Sequence, residues 1–268
     1  MKKFLLAVLI STTIAGLALS FTAQTRPPVK KNVRETPTPT PTATPAEAVT
    51  VKTPPAKKNE RPTNNNSSDS SPQTDYTPTY FYEFSQPAFT VSKILIEHDE
   101  RGRGKISFMK SVSNELITDP LQVSEAALKR IDDALTALDF FNSTENYQYE
   151  KDYQHLGNTT FKITKNGRTR ETKFNWTTNP NAKTLADEYR KIANQAIWIF
   201  DMNLARENQP LNAPQMVDGL DGYLRRGEIS DPAQLLPYLR EVGNDERIPL
   251  IARNHAKRIA EKIESEKK

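Results

Sequence analysis

Phe161-Lys162-Ile163-Thr164-Lys165-Asn166-Gly167-Arg168-Thr169-Arg170-Glu171-Thr172-Lys173-Phe174-Asn175-Trp176 is the stretch that sets the fold class. Phe161 and Ile163 alternate with polar residues, and Thr172, Phe174 and Trp176 recur at period two on the return run. Between them stands Asn-Gly, a strong short hairpin signal, because a primed two-residue turn needs positive φ at both central positions. Asn179-Pro180 follows, an N-cap with proline at the first helical position. The spacing of Leu185, Tyr189, Ile192, Ala196, Ile199 and Phe200 then predicts a helix from about residue 180 to 206 with one buried stripe.

The same sequence of elements can be read upstream. Phe89, Val91, Ile94 and Ile96 form a β-rich run. A charged tip follows at His98-Asp99-Glu100-Arg101-Gly102-Arg103-Gly104, and Ile106 and Phe108 share a face of the return run. Ser124 is a good N-cap, Glu125 suits the positive end of the helix dipole, and Leu128, Ile131, Leu135 and Leu138 make an apolar stripe. The expected class is α+β. It consists of a four-stranded antiparallel sheet in ββαββα order with helices on one face, over residues 80–208, followed by a small all-helical region at 209–268. Within that region Met216, Val217, Leu220, Tyr223 and Leu224 mark one helix. Asp231-Pro232 opens a second that Pro237 should shorten, and Leu250, Ile251, Ile259 and Ile263 mark a third.

The first 79 residues read as an address and a tether. Met1-Lys2-Lys3 and the mostly apolar run Phe4 to Leu19 resemble a secretory signal peptide over residues 1–23, and cleavage fits after Ala18-Leu19-Ser20. The alternative is an uncleaved N-terminal membrane anchor. Residues 24–79 are a Pro/Thr/Asn/Ser-rich low-complexity linker, as in Thr36-Pro37-Thr38-Pro39-Thr40-Pro41. Such composition buries too little apolar surface to offset chain entropy, so the linker is expected to be disordered. The chain is therefore expected to be exported, periplasmic or extracellular.

The chain has no cysteine, which excludes a lipid-modified cysteine anchor, disulfides, a thiolate nucleophile and a cysteine zinc site. Of the 37 Lys and Arg, 10 lie in residues 1–79, and of the 33 Asp and Glu, 5 lie there. Residues 80–268 thus carry 27 basic and 28 acidic residues, which argues against a nucleic-acid partner.

His98, His155 and His255 share no ligand spacing. His98 reads as part of a solvated charged turn, and His255, four residues from both Ile251 and Ile259, as a packed histidine. Arg101-Gly102-Arg103-Gly104-Lys105 lacks the full phosphate-loop pattern, and Asp218-Gly219-Leu220-Asp221-Gly222 lacks the closing Glu of a calcium loop. No catalytic residue, cofactor or metal is expected. What stands out is aromatic. Tyr76, Tyr80, Phe81, Tyr82 and Phe84, with Tyr147 and Tyr149 further on, are a candidate contact surface. The plainer alternative is that they dock the end of the linker onto the core. The expected function is a non-enzymatic binding or scaffolding protein whose partner is an envelope protein or polymer. The alternatives are a carboxylate-based hydrolase of envelope or extracellular material, or a proteinaceous inhibitor or accessory subunit.

Overall fold

The computed structural model describes residues 76–266. The signal region and residues 24–75 of the linker lie outside them. The chain runs β1 (Tyr80–Ser85), β2 (Val91–His98), β3 (Arg103–Lys110), β4 (Leu116–Gln122), α1 (Glu125–Ala137), β5 (Asn158–Lys165), β6 (Arg168–Phe174) and α2 (Pro180–Asn208). It continues through α3 (Ala213–Arg225), α4 (Leu236–Asn244) and α5 (Leu250–Glu266). No helix among the described residues is long and apolar enough to cross a membrane.

The expectation of a four-stranded ββαββα sheet is overturned. The sheet has six strands in the order β4-β3-β2-β1-β5-β6, every neighbouring pair is antiparallel, and the chain order is ββββαββα followed by three helices. Two strands were hidden, for different reasons. β1 is dense in aromatics and adjoins the low-complexity segment, so it reads as a patch, yet Tyr80, Tyr82 and Phe84 recur at period two. It is the central strand, pairing Tyr82 with Ile96 on one side and with Phe161 on the other. β4 contains Asp119 and Pro120, which are poor strand residues. An edge strand tolerates proline because one side of its ladder needs no donor, and β4 pairs only with β3.

One face of the sheet is the core. Tyr82, Ile96, Ile106 and Phe161 stand in register across four strands and pack with Ile131 and Leu135 of α1 and with Leu185, Tyr189 and Ile192 of α2. Local capping explains both helices. The Ser124 side chain accepts from the Ala127 N–H, and the Asn179 side chain accepts from Asn181 and Ala182. The opposite face carries Phe81, Glu83, Leu95 and Glu97, which are half-buried. It is laced by ion pairs between Glu83 and Lys93 and between Glu97 and Lys105. The Asn166-Gly167 turn forms as expected, with φ of 53° and 72°.

Trp176 departs from the period-two run in which the sequence places it. β6 ends at Phe174, so Trp176 falls beyond the alternation and is 43% exposed.

The C-terminal half of α2 leaves the first core and enters a second. Trp198 and Met202 pack with Val217 and Leu220 of α3, Leu239 and Val242 of α4, and Ile259 and Ile263 of α5. Pro237 sits in the first turn of α4, where its missing N–H costs nothing, and a 3₁₀ turn at Pro232–Leu235 precedes it. One buried and one half-buried ion pair fasten the helices. Arg206 (8% exposed) donates to Asp245 and Glu241 at 2.7 Å each. Arg130 of α1 donates in a fork to Glu188 of α2 at 2.9 and 2.7 Å and to the Ser230 carbonyl at 2.8 Å. That second cluster ties the loop before α4 to the sheet-covering helices.

Candidate functional site

Among the described residues a groove of about 980 Å³ lies between the turn joining β1 to β2, the middle of α2, and α3. It lies at one end of the sheet. There β1 finishes at Ser85, paired with Asn158 at the start of β5, and Phe174 at the end of β6 pairs with Thr159. Thr79, just before β1, lies at the other end, where its N–H donates to the His98 carbonyl at 3.0 Å.

Two strands, the turn between them and two helices build the groove. β1 supplies Phe84 and the β1–β2 turn Phe89, whose ring centroids are 5.9 Å apart, and β2 supplies Val91 and Ile94. α2 supplies Ile197 and Trp198, and α3 supplies Met216, Gly219 and Tyr223. Phe89 remains 44% exposed at the rim. Gly157 holds the turn in place from beneath. Its φ is +84°, and a Cβ there would come within 2.7 Å of the Phe84 ring, so only glycine fits.

The charged groups of the groove, its indole and its asparagine already have partners. The Trp198 indole N–H donates to the Met216 carbonyl at 2.9 Å, and the Asn194 amide donates to the Glu228 carbonyl at 3.1 Å. Arg190 pairs with Asp187 at 3.0 Å, Asp201 with Lys110, and Asp218 with His255 at 2.9 Å. An occupant therefore meets an apolar floor whose charged edge groups are already paired. That is the chemistry of apolar ligand recognition.

The sequence-predicted contact residues are dispersed by the alternation of β1. Tyr82 and Phe84 line the groove, Tyr82 from a buried position stacked on Tyr189 with centroids 5.0 Å apart. Tyr80 is buried and stacks on His98 at 4.7 Å. Phe81 points to the opposite sheet face, half-buried. Tyr76 is half-buried, and burial followed by the charge of Glu97 raises its phenol pKa. Tyr147 is buried, its hydroxyl accepting from Arg170 at 3.3 Å. Tyr149 is 37% exposed beside Tyr153 and Trp176.

His98 is the clearest difference from the sequence reading. It ends β2 facing inward and is fully buried. Its Nδ1 lies 2.7 Å from the Asp99 carbonyl and its Nε2 lies 2.9 Å from the Tyr189 hydroxyl. A carbonyl only accepts, so Nδ1 carries the proton and Tyr189 donates to Nε2. Burial lowers the His98 pKa and raises that of Tyr189 well above its ordinary value. Asp99 turns its carboxylate the other way, accepting from the Arg101 and Arg103 N–H groups at 2.8 and 2.9 Å. Burial raises its pKa, but these hydrogen bonds outweigh burial and leave it lowered. His255 is half-buried against Asp218, and His155 is exposed.

A second, smaller pocket of about 200 Å³ lies between β4, α2 and the loop at Ser230. Asp119 lines it without another Asp, Glu or His, and burial raises its pKa. Among the described residues no three His, Asp or Glu side chains are grouped to hold a metal ion.

The groove was not legible in the sequence, because its lining comes from residues 82–94, 190–201 and 215–223, each of which reads as an ordinary amphipathic element. No family model matches the chain, and no curated protein matches it.

Proposed function

We propose that this is an exported, non-enzymatic binding protein of the cell envelope or extracellular space, holding an apolar group of its ligand in the groove between the β1–β2 turn, α2 and α3. The observation that carries the reading is the groove itself. About 980 Å³ of concave surface is lined by Phe84, Phe89, Val91, Ile197, Trp198 and Met216, and its charged groups are already paired. Large open apolar surface is costly to leave to water and is retained at recognition sites. The signal-like N-terminus and the Pro/Thr tract support an exported head on a spacer.

The test uses a neutral apolar dye, phenylnaphthylamine, and the variant Phe89→Asp. Phe89 stands at the rim, so the change places a charge in the groove with little effect on the core. The wild-type protein is expected to bind the dye saturably, and Phe89→Asp to lose most of that binding. Equal dye binding by both proteins, or none by either, would refute the reading.

A further inference from the structure

A second surface at the same end of the molecule has a different chemistry. Tyr149, Tyr153, His155 and Trp176 come together on the outside of the fold. Tyr149 and Tyr153 are near parallel at 14°, with centroids 6.4 Å apart. Trp176 meets Tyr153 edge-on at 5.9 Å, and His155 meets it at 6.0 Å. Tyr149 and Trp176 are 37% and 43% exposed, and both stand outside the two hydrophobic cores.

The arrangement is held by dedicated hydrogen bonds. The Tyr149 N–H donates to the Trp176 carbonyl at 2.9 Å. Gln148 accepts from the Asn175 N–H at 2.8 Å and donates to the Asn175 side chain at 3.0 Å, while that side chain accepts from the Tyr153 N–H at 3.3 Å. The Gln86 side chain donates to the Gln154 carbonyl at 2.8 Å and fixes the far side of the loop. Exposed rings held this rigidly form a preorganised surface, which keeps the ordering cost of binding low.

We propose that Trp176 and Tyr149, propped by Tyr153 and bordered by His155, form a platform that binds a neutral glycan. One face of a pyranose ring presents C–H bonds whose slightly positive hydrogens suit the negative face of an aromatic ring. The hydroxyls around the sugar's rim need donors and acceptors, and Glu150, Lys151, Asp152 and His155 are exposed around the rings. The charge of that border selects the partner. Glu150, Lys151 and Asp152 sum to a negative flank, and the Lys151 ammonium is already placed over the Tyr153 ring at 5.2 Å. Stacking surfaces for nucleic acid carry a basic groove instead, so the acidic border disfavours polyanions and leaves an uncharged sugar polymer as the fitting occupant. The platform shares no residue with the groove and stands whether or not the groove binds an apolar ligand.

The test is affinity electrophoresis of the full chain in native gels containing hydroxyethylcellulose, laminarin, soluble starch or glycol chitin. The wild type is expected to be retarded in at least one gel. Trp176→Ala and Tyr149→Ala should each weaken that retardation about tenfold or more, as loss of an aromatic anchor does. Trp176→Phe should keep most of it, and the groove variant Phe89→Asp should leave it unchanged. Both alanine changes are at exposed positions, and an unaltered urea midpoint shows that the variants are folded. Retardation in none of the four gels, or equal retardation of wild type and both alanine variants, would overturn the proposal.

Discussion

Replacing Tyr189 by Phe removes one oxygen from the centre of the sheet–helix core, and the structure allows its cost to be worked out. Tyr189 and His98 are both fully buried, and the phenol donates to His98 Nε2 at 2.9 Å. The phenyl ring that remains keeps its stacking on Tyr82 at 5.0 Å and its packing on Phe161 at 5.5 Å, so the apolar contacts survive. What is lost is the partner of a buried acceptor. His98 Nδ1 remains committed to the Asp99 carbonyl, so Nε2 is left without a donor. Leaving one buried polar group unsatisfied costs about 1–3 kcal/mol, and the expected destabilisation is in the upper half of that range because both side chains are fully buried. Urea denaturation followed by circular dichroism measures it, with the slope unchanged and the midpoint lowered. A loss below about 0.5 kcal/mol, the level of ordinary surface substitutions, would show that the Tyr189–His98 bond does not form.

The same histidine makes stability depend on pH. Its folded pKa is lowered by burial from 6.5, so protons bind the unfolded chain more readily. The stability it supports is therefore complete above pH 6.5 and falls as pH drops below it, by up to about 1.4 kcal/mol per pH unit until the folded pKa is reached. His98→Gln should flatten the stability profile below pH 6.5. The lowered carboxylates Asp99 and Asp245, starting from 3.8, act only at more acidic pH. Arg130→Met leaves Glu188 buried without its fork of donors and should cost about 2–4 kcal/mol by urea denaturation, somewhat below a fully buried pair because Arg130 itself is half open to water. The double change Arg130→Met with Glu188→Leu should recover most of that loss. Leu135→Ala in the first core should cost about 2–5 kcal/mol, and a cost near zero would mean that α1 does not pack on the sheet.

Local signals carried most of what was legible in the sequence. Asn166-Gly167, Ser124 and Asn179-Pro180 each act within a few residues, so turn and cap appear as the sequence places them. The sheet's size was not legible, because strand pairing is non-local. β1 carries a period-two pattern in aromatic residues that also suits an exposed patch, and β4 survives Asp119 and Pro120 only because it is an edge. His98 was masked by its neighbours. Glu97, Asp99 and Glu100 make the segment look solvated, yet in an extended chain successive side chains point to opposite faces, and His98 takes the inward one. Trp176 failed the other way, since an alternation counted past the end of β6 places it in the core. The groove has no local signature, and of the aromatic platform only Tyr149 stands out in the sequence. Both assemble from loops and helices that meet only in the folded molecule.

The central claim is that the groove receives an apolar ligand, and Trp198 is placed to report on it. The chain has two tryptophans, so Trp176→Phe leaves Trp198, on the groove wall, as the sole emitter. Titrating that variant with phenylnaphthylamine while exciting tryptophan should quench Trp198 emission by energy transfer to the dye. The quenching should saturate at one dye per chain and be abolished by adding Phe89→Asp. Trp198 emission that stays constant while dye binds elsewhere would contradict the account.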